Sequence, residues 1–305
     1  MIDLDEVLSG LECDVDPFAL CEVRGGGMID MGCQDRATLH YVLAGEGGFR
    51  IAGWPSIGVK AGDVLLTPAA LAHRLGVSGR AGGPLPSCMP LGENWAHHKS
   101  GSGEGGVLVA CGRIRASYQN IDGLFDFLHE PILADLQDDE HLRHSLEHLI
   151  DELAAPRPGT RTMVRALMQQ CLILLLRRHC GADGGSVHWI AAARDERLWA
   201  AVQSVFADPA AAHSLEGLAA LASMSRSSFA EHFKSTFGRG PMELVKEARL
   251  RQAARLLLTT DSSIKRVARD VGYISRSYFT RAFTAAYGAS PADYRRGNAA
   301  GGESN

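Results

Sequence analysis

The sequence has 305 residues, more than a single hydrophobic core usually organises, so we expect two domains joined by a linker. With 46% hydrophobic and 22% charged residues it has the composition of a globular protein, and no apolar run approaches the roughly 18 residues that a membrane-spanning helix needs. The acidic N-terminus lacks the basic and apolar regions of a secretory signal peptide. We therefore expect a cytoplasmic protein without a membrane partner.

The net charge of −4 is distributed unevenly along the chain. Residues 1–189 carry 15 Lys and Arg against 24 Asp and Glu, whereas residues 190–305 carry 16 against 11. The last third is therefore basic, with a net charge of +5, while the remainder is acidic. Such asymmetry favours a C-terminal segment that binds a polyanion.

The seven cysteines are odd in number and irregularly spaced. They form neither a disulfide framework nor a pair of the CxxC type that binds zinc. We expect most of them to be reduced thiols.

The N-terminal half has the pattern of a β-domain, predicted to span residues 1–135. Apolar runs separated by glycine fill residues 18–76, which indicates short antiparallel strands in a barrel or sandwich. Residues 79–106 are rich in Gly, Pro and Ser and are predicted to be a flexible insertion, after which a strand resumes at Val107.

Two helices are predicted next. Residues 139–155 and 160–180 carry apolar residues at helical spacing and are separated by Pro-Arg-Pro-Gly. We therefore expect a helical hairpin within residues 136–180. Residues 181–194 begin with a glycine-containing stretch of little apolar content and are predicted to be a linker.

An internal repeat with an offset of 50 residues dominates the C-terminal third. Ser-Arg-Ser-Ser-Phe at 225–229 recurs as Ser-Arg-Ser-Tyr-Phe at 275–279, and matching aromatic, glycine and proline positions follow in both copies. The aromatic residues lie at i, i+4 and i+8, on one face of a helix. The serine suits the N-cap of that helix, the glycine suits its end, and the proline suits the start of the next helix.

Each repeated helix is preceded by a tight turn and a shorter helix, at 215–222 and 264–271. This pattern predicts two helix-turn-helix units, in which the second helix can enter the major groove of DNA. Residues 242–258 read as one connecting helix about 25 Å long, which could hold the two recognition helices near one DNA turn apart. The alternative is a helical bundle that does not bind DNA.

Residues 195–298 resemble the DNA-binding domain of the AraC/XylS family, above all from Val271-Gly272-Tyr273 through Gly288 to Pro291-Ala292-Asp293-Tyr294-Arg295. The resemblance implies that a set of residues in the two repeated helices faces the bases: Arg226, Ser227, Glu231, Arg276, Ser277, Thr280 and Arg281. Arg276 and Arg281 could bond guanine bidentately, whereas Lys234 lies farther along its helix and is expected to contact phosphate. The first helix departs from the pattern, since Ala230 and Glu231 are weak readers of bases.

Residues 62–73 resemble the second motif of the cupin barrel, with Ala70 in place of the usual second glycine. In the first motif, His40 is matched but Glu46 comes one or two positions late. Only His40 and His73 are therefore candidate metal ligands, and catalytic metal sites generally need three protein ligands. The histidines are expected either to line a sensor pocket or lie at the barrel rim or, as the alternative, to hold a metal.

The order of domains resembles AraC-type regulators with a barrel sensor, an α+β two-domain fold with an N-terminal cupin-like β-barrel and a C-terminal all-α tandem helix-turn-helix domain. This resemblance implies that the barrel senses a signal and that the hairpin supports a homodimer; the alternative is a hairpin packed only within its own chain. An activator of this kind would also contact RNA polymerase.

Two cysteines are candidates for a redox role. Cys111 is predicted to end a strand beside Arg113, whose guanidinium would lower the pKa of the thiol, and Cys21 is expected on another strand of the same barrel. Cys171 lies on an apolar helix stripe and is expected to be a core residue.

The sequence therefore predicts a regulator that binds double-stranded DNA and responds to a small molecule or an oxidant. We expect no enzyme activity, no cofactor and no catalytic residues. One alternative is a cupin-type metalloenzyme with a DNA-binding tail. Another, a DNA-repair methyl acceptor, would require a cysteine in a Pro-Cys-His setting, which the sequence lacks.

Overall fold

A computed structural model describes residues 4–77, 96–103, 105–119, 121–128, 130–180, 190, 193 and 195–301. The predicted linker 181–194 lies almost wholly outside these residues, as do Cys88 and most of the predicted insertion. The strands are β1 (Leu11–Arg24), β2 (Met28–Cys33), β3 (Thr38–Ile51), β4 (Ile57–Lys60), β5 (Asp63–Thr67), β6 (Ala72–Gly76), β7 (Ala96–Ser100), β8 (Gly106–Tyr118), β9 (Ile121–Asp122) and β10 (Ile132–Asp135). The α-helices are α1 (Leu4–Ser9), α2 (Glu140–Ala154), α3 (Thr160–Cys180), α4 (Glu196–Ala207), α5 (Leu215–Leu221), α6 (Arg226–Phe237), α7 (Pro241–Thr259), α8 (Ile264–Asp270), α9 (Arg276–Tyr287) and α10 (Pro291–Gly301).

The strands form a nearly closed, barrel-like sheet, as predicted. Its main path runs β10-β5-β3-β8-β1-β7, while β6 pairs with both β2 and β3, and β4 pairs with β3. The first half of β3 pairs with β5 and β8, and its second half pairs with β4 and β6. A register shift between Val42 and Ala44 lies near the middle of β3, where a bulge lets one strand serve both halves of the sheet.

Two expectations for this region were wrong in detail. Among the apolar runs within residues 18–76, those at 38–43 and 48–51 were expected to be separate short strands. They belong instead to the single 14-residue strand β3. The predicted insertion was extended too far, because residues 96–100 form β7 and pair in parallel with β1, from Ala19 opposite Ala96 to Val23 opposite Ser100. Glycine and serine content alone could not reveal a strand that is held by pairing with a segment far away in sequence.

The chain divides into two compact units that are not continuous in sequence. One comprises Cys13–Ala116 and His129–Arg178, and the other comprises Met1–Glu12, Ser117–Leu128 and His179–Asn305. The barrel and the α2–α3 hairpin therefore form one unit, whereas residues 117–128 pack with the C-terminal helices instead of with the rest of the 1–135 range.

The hairpin formed as predicted, with α2 over Glu140–Ala154 and α3 over Thr160–Cys180. Asp139 caps α2, since its carboxylate accepts a hydrogen bond from Leu142 N at 2.9 Å. Most of the apolar stripe of α3, Cys171 included, is buried, although Met163 in its first turn is 49% exposed. Met168 lies so close to Gly112 of β8 that an added Cβ there would be 2.9 Å from its methyl group. This packing agrees with the expectation that Cys171 is a core residue.

Candidate functional site

The first helix-turn-helix unit consists of α5 and α6. Ser214 caps α5 through a 3.1 Å bond from Gly217 N, and Ser225 caps α6 through a 3.3 Å bond from Ser228 N. Phe229, Phe233 and Phe237 are buried, so the opposite face of α6 is left to solvent. The helix ends at Gly238, which has a φ of 69°.

The second unit repeats this construction with α8 and α9. Ser263 and Ser275 cap the two helices, and Phe279 and Phe283 are buried at the positions that correspond to Phe229 and Phe233. Gly288 ends α9 with a φ of 69°, as Gly238 ends α6. Both predicted helix-turn-helix units and their caps are therefore confirmed.

Between the two units, α7 forms one helix of 19 residues, about 28 Å long. Arg249 on this helix donates to Pro209 O at 2.8 Å and to Ala211 O at 2.7 Å, in the segment before α5. The same guanidinium donates to Gly272 O at 3.4 Å, in the turn of the second unit. A single side chain thus fixes both helix-turn-helix units to the connecting helix.

Seven of the eight predicted DNA-contacting residues are exposed and the eighth, Thr280, is half-buried. Arg226 is engaged by Glu216 of α5 at 2.8 Å, but both side chains are about 60% exposed, so this ion pair is weak and exchangeable. Among the described residues, none forms an ion pair with Lys234, Arg276 or Arg281. These three cations are available to a polyanion.

The sequence reasoning did not single out two exposed apolar residues near the start of α9. Tyr278 is 55% exposed, and Ile274 in the preceding turn is fully exposed. Tyr278 occupies the repeat position of Ser228, and its ring is 5.9 Å from that of Tyr273. The 50-residue offset could have revealed this difference between the two recognition helices.

Inside the barrel, His40 of β3 and Cys111 of β8 are register partners, and the structure brings Cys21 of β1 beside them. His40 Nδ1 lies 3.1 Å from Cys111 Sγ, and the two Sγ atoms of Cys111 and Cys21 are 3.9 Å apart. His40 Nε2 lies 3.3 Å from Thr67 Oγ1, which donates its own proton to Thr38 O at 3.2 Å. Thr67 therefore accepts from His40 Nε2–H, which leaves the Nδ1 lone pair beside the Cys111 sulfur.

The expected environment of Cys111 was wrong. Cys111 lies in the middle of β8, is fully buried, and burial followed by the neighbouring Cys21 raises its pKa well above the ordinary value. Arg113 does not lower it, because this guanidinium lies 4.4 Å from the centre of the Phe18 ring and 3.9 Å from Asp35. Sequence adjacency on a strand could not show where the guanidinium is directed.

His73 packs against His40, with ring centroids 5.0 Å apart. Burial lowers the pKa of His73, and burial followed by the neighbouring His73 lowers that of His40, so both rings are neutral. The rings lie in the interior of the barrel beside Phe49, with His40 0% and His73 1% exposed, and their role as the lining of a sensor pocket stays a prediction. In the part of the chain that the structure describes, no group of three or more metal-binding side chains converges.

An open groove of about 750 Å³ lies elsewhere on the barrel, between β3, β4, β5 and β10. Glycine backbone from Gly47, Gly48 and Gly58 forms part of its wall. Its polar lining includes Lys60, whose ammonium is 3.0 Å from Asp135. This groove can admit a small polar molecule, and neither His40 nor His73 lines it.

None of the helices that the structure describes is long and apolar enough to cross a bilayer. Two family models match the chain, one described as "Cupin" over residues 3–181 and one as "Helix-turn-helix domain" over residues 218–297. Their order agrees with the barrel and the paired helical units.

Curated relatives share most of the chain. It is 30% identical over 270 residues to the HTH-type transcriptional regulator MtrA of Neisseria gonorrhoeae, covering 86% of this chain and 87% of MtrA. It is 26% identical over 208 residues to the RCS-specific HTH-type transcriptional activator RclR of Escherichia coli, covering 67% and 73% of the two chains. The crystal structure of ToxT from Vibrio cholerae aligns over 95% of this chain and 98% of ToxT, with 11% identity and a TM-score of 0.48. The chain belongs to the AraC family of helix-turn-helix transcriptional regulators and carries an N-terminal cupin domain.

Proposed function

We propose that this regulator binds specific double-stranded DNA through α6 and α9 and that the barrel senses an oxidant through Cys21 and Cys111. The DNA-binding proposal is supported by two capped helices that present exposed cations while their aromatic faces are buried. Its regulatory character is supported by relatives that are named transcriptional regulators, so we propose no catalytic role. Such a protein would act in the cytoplasm, where bacterial DNA lies.

In the proposed DNA complex, the N-terminal turns of α6 and α9 enter successive major grooves. Arg276 and Arg281 read guanine, Ser227, Ser277 and Thr280 contribute shorter-range contacts, and Lys234 binds phosphate. Arg226 must release Glu216 to reach a base, and Glu231 has a negative charge that suits only an amino group such as that of cytosine.

Alanine variants at three exposed cations test this assignment. Arg276→Ala and Arg281→Ala should each lose about 1–3 kcal/mol on the specific site and relax the preference at one base position. Lys234→Ala should weaken binding to all duplexes similarly and reduce the salt slope by about one. Fluorescence anisotropy with a duplex from the protein's own promoter region and a scrambled duplex, over a range of salt, measures both effects.

Equal losses on specific and scrambled DNA for all three variants would contradict the roles given to the two arginines. Binding that does not change with salt in any variant would contradict a phosphate-contacting interface altogether.

The proposed oxidant response rests on the 3.9 Å separation of the Cys21 and Cys111 sulfurs and on the imidazole beside them. The Cys111 sulfur attacks a peroxide oxygen while His40 accepts the thiol proton. The products are a sulfenic acid on Cys111 and water. The Cys21 sulfur then attacks the sulfenic sulfur and a second water leaves, so two thiols and one peroxide give one disulfide and two waters. The sulfurs must approach to about 2.05 Å, which moves β1 against β8.

Burial sets the kinetics of this reaction. Because both thiols are buried and the pKa of Cys111 is raised, only small oxidants that reach the barrel interior should react, and the reaction should be slow. The rate is therefore expected to follow local opening of the sheet.

Mass spectrometry after mild peroxide or hypochlorite treatment tests the thiol proposal. A peptide pair joined through Cys21 and Cys111, lighter by two hydrogen atoms, is expected in the wild type and absent in Cys21→Ser and Cys111→Ser. DNA binding should change on oxidation of the wild type but not of these variants, whereas Cys33→Ser, a half-buried cysteine on β2, serves as the control and should behave like the wild type. An oxidant response that persists in both variants removes the thiol pair from the mechanism.

The second candidate signal is a small polar molecule in the open groove. It is supported by the volume of about 750 Å³ and by Gly58 in its wall, where an added Cβ would meet nothing within 4 Å. Gly58→Leu would therefore fill the groove without disturbing the barrel core, and it should abolish a groove-dependent response while leaving thiol oxidation intact. A metal at His40 and His73 has less support, because no third metal-binding side chain converges with this pair in the part of the chain that the structure describes.

Homodimerisation through α2 and α3, and contact with RNA polymerase if the protein is an activator, stay predictions. The burial of most of the α3 stripe supports the alternative in which the hairpin serves this chain alone.

A further inference from the structure

We propose that His144 and His148 of α2 form a surface binding site for a divalent transition metal such as Ni²⁺ or Zn²⁺. Both side chains are exposed, and their Nε2 atoms are 3.2 Å apart. The site is separate from the barrel histidines and takes no part in the proposed DNA or thiol chemistry.

The spacing of His144 and His148 brings their rings into contact on one face of α2. Positions i and i+4 lie one above the other on a helix, and the two rings meet edge to face with centroids 4.7 Å apart. The two Nε2 atoms lie on the same side of the helix, within hydrogen-bond distance of each other. The backbone of α2, capped at Asp139, fixes the spacing at which the two side chains leave the helix before any ligand arrives.

The distance between the two nitrogens matches two ligands of one ion. Zinc–nitrogen bonds of about 2.0–2.1 Å at the tetrahedral angle place two ligating nitrogens about 3.3–3.4 Å apart. In the metal-free protein, one Nε2–H can donate to the other Nε2 at 3.2 Å. Metal binding requires both rings to carry the proton on Nδ1 instead, so that both Nε2 lone pairs are directed at the ion.

The number of ligands determines the kind of site. Because no third metal-binding side chain converges with this pair among the described residues, water must fill the remaining positions. Structural zinc sites use four protein ligands and catalytic sites three, so a two-histidine site binds reversibly and does not hold the fold together. Nitrogen donors favour Zn²⁺, Ni²⁺ and Cu²⁺ over Mg²⁺ and Ca²⁺.

Calorimetric titration of the full, untagged and reduced chain with NiCl₂ tests the proposal. We expect one site per chain, and His144→Gln and His148→Gln should each weaken it by at least about tenfold, because either change removes the chelate effect. Glutamine retains good helix propensity at an exposed position, so α2 should stay folded, which circular dichroism checks. Ni²⁺ should also raise the melting temperature of the wild type, since the paired geometry exists only in the folded helix. It should not raise that of the double variant, which combines His144→Gln and His148→Gln.

His141→Gln is the matched control, because His141 is also exposed on α2. Its affinity for Ni²⁺ should stay within about twofold of the wild type. The proposal is overturned if the double variant binds Ni²⁺ as tightly as the wild type, if the wild type shows no site, or if His141→Gln weakens binding as much as His144→Gln does.

Discussion

At the scale of single residues, Asp195 shows how one side chain can join two elements. Its carboxylate caps α4 by accepting from Arg197 N at 3.1 Å and Leu198 N at 3.5 Å, and it also accepts from His232 Nε2 of α6 at 2.7 Å. Burial alone would raise the pKa of Asp195, but these hydrogen bonds outweigh it and hold the pKa below the ordinary 3.8. The start of the DNA-binding domain is thereby attached to its first recognition helix.

Replacing this carboxylate should change how stability depends on pH. A carboxylate whose pKa is lower in the folded state contributes stability above its unfolded pKa, and that contribution is lost as the pH falls through the folded pKa. Asp195→Asn keeps a good N-cap but removes the charge, so we expect a loss of about 1 kcal/mol near pH 7 that shrinks as the pH falls below about 4. Urea unfolding of both proteins over this pH range measures the difference, and a difference that does not depend on pH would contradict the ionic role.

At the scale of elements, the turn of the second helix-turn-helix unit depends on Gly272. Its φ is +84°, and a Cβ added there would lie 2.8 Å from Ala210 O, in the segment before α5. Gly272 O also accepts from Arg249 of α7. The tight turn at Gly272 therefore sets the angle between α8 and α9 and also allows the contact between the two helix-turn-helix units.

Gly272→Ala should cost more stability than Gly288→Ala. Both glycines have a positive φ, which costs an alanine about 1–2 kcal/mol, but an added Cβ at Gly288 would meet nothing within 4 Å. At Gly272 the backbone around Ala210 must move as well, which weakens the hydrogen bonds of Arg249. Chemical unfolding of the two variants compares them directly, and equal losses would show that the close approach to Ala210 has no energetic weight.

At the scale of the whole molecule, the compact units do not follow the order of the chain. Residues 117–128 belong with the C-terminal helices: the Tyr118 ring lies 5.3 Å from that of Trp199, and Trp199 Nε1 donates to Gln119 Oε1 at 2.6 Å. Arg251 of α7 also donates to Leu128 O at 2.5 Å. The C-terminal unit is therefore completed by a segment that enters from the N-terminal half.

Elements whose signals are local could be predicted from the sequence alone. Serine caps at α5, α6, α8 and α9, with aromatic residues at i, i+4 and i+8 and a terminal glycine in α6 and α9, specify these helices because each signal acts within one or two helical turns. The 50-residue repeat then identified two helix-turn-helix units, and the resemblance of residues 195–298 to the AraC/XylS DNA-binding domain indicated the family. The hairpin was predictable for the same reason, since the period of its apolar residues is a property of a short stretch of chain.

Features that depend on pairing between distant segments could not be predicted from the sequence. Strand β7 exists because residues 96–100 pair with β1, and the burial of Cys111 beside Cys21 and His40 follows from the closure of β3, β8 and β1 around one interior. Adjacency in sequence predicted an influence of Arg113 on Cys111, but the fold directs that guanidinium to Phe18 and buries the thiol, because burial at each position of β8 depends on the elements that pack over it and not on its neighbours along the strand. The same holds for the attachment of residues 117–128 to Trp199 and Arg251, since hydrogen bonds across 80 or more residues leave no periodic signal in the sequence.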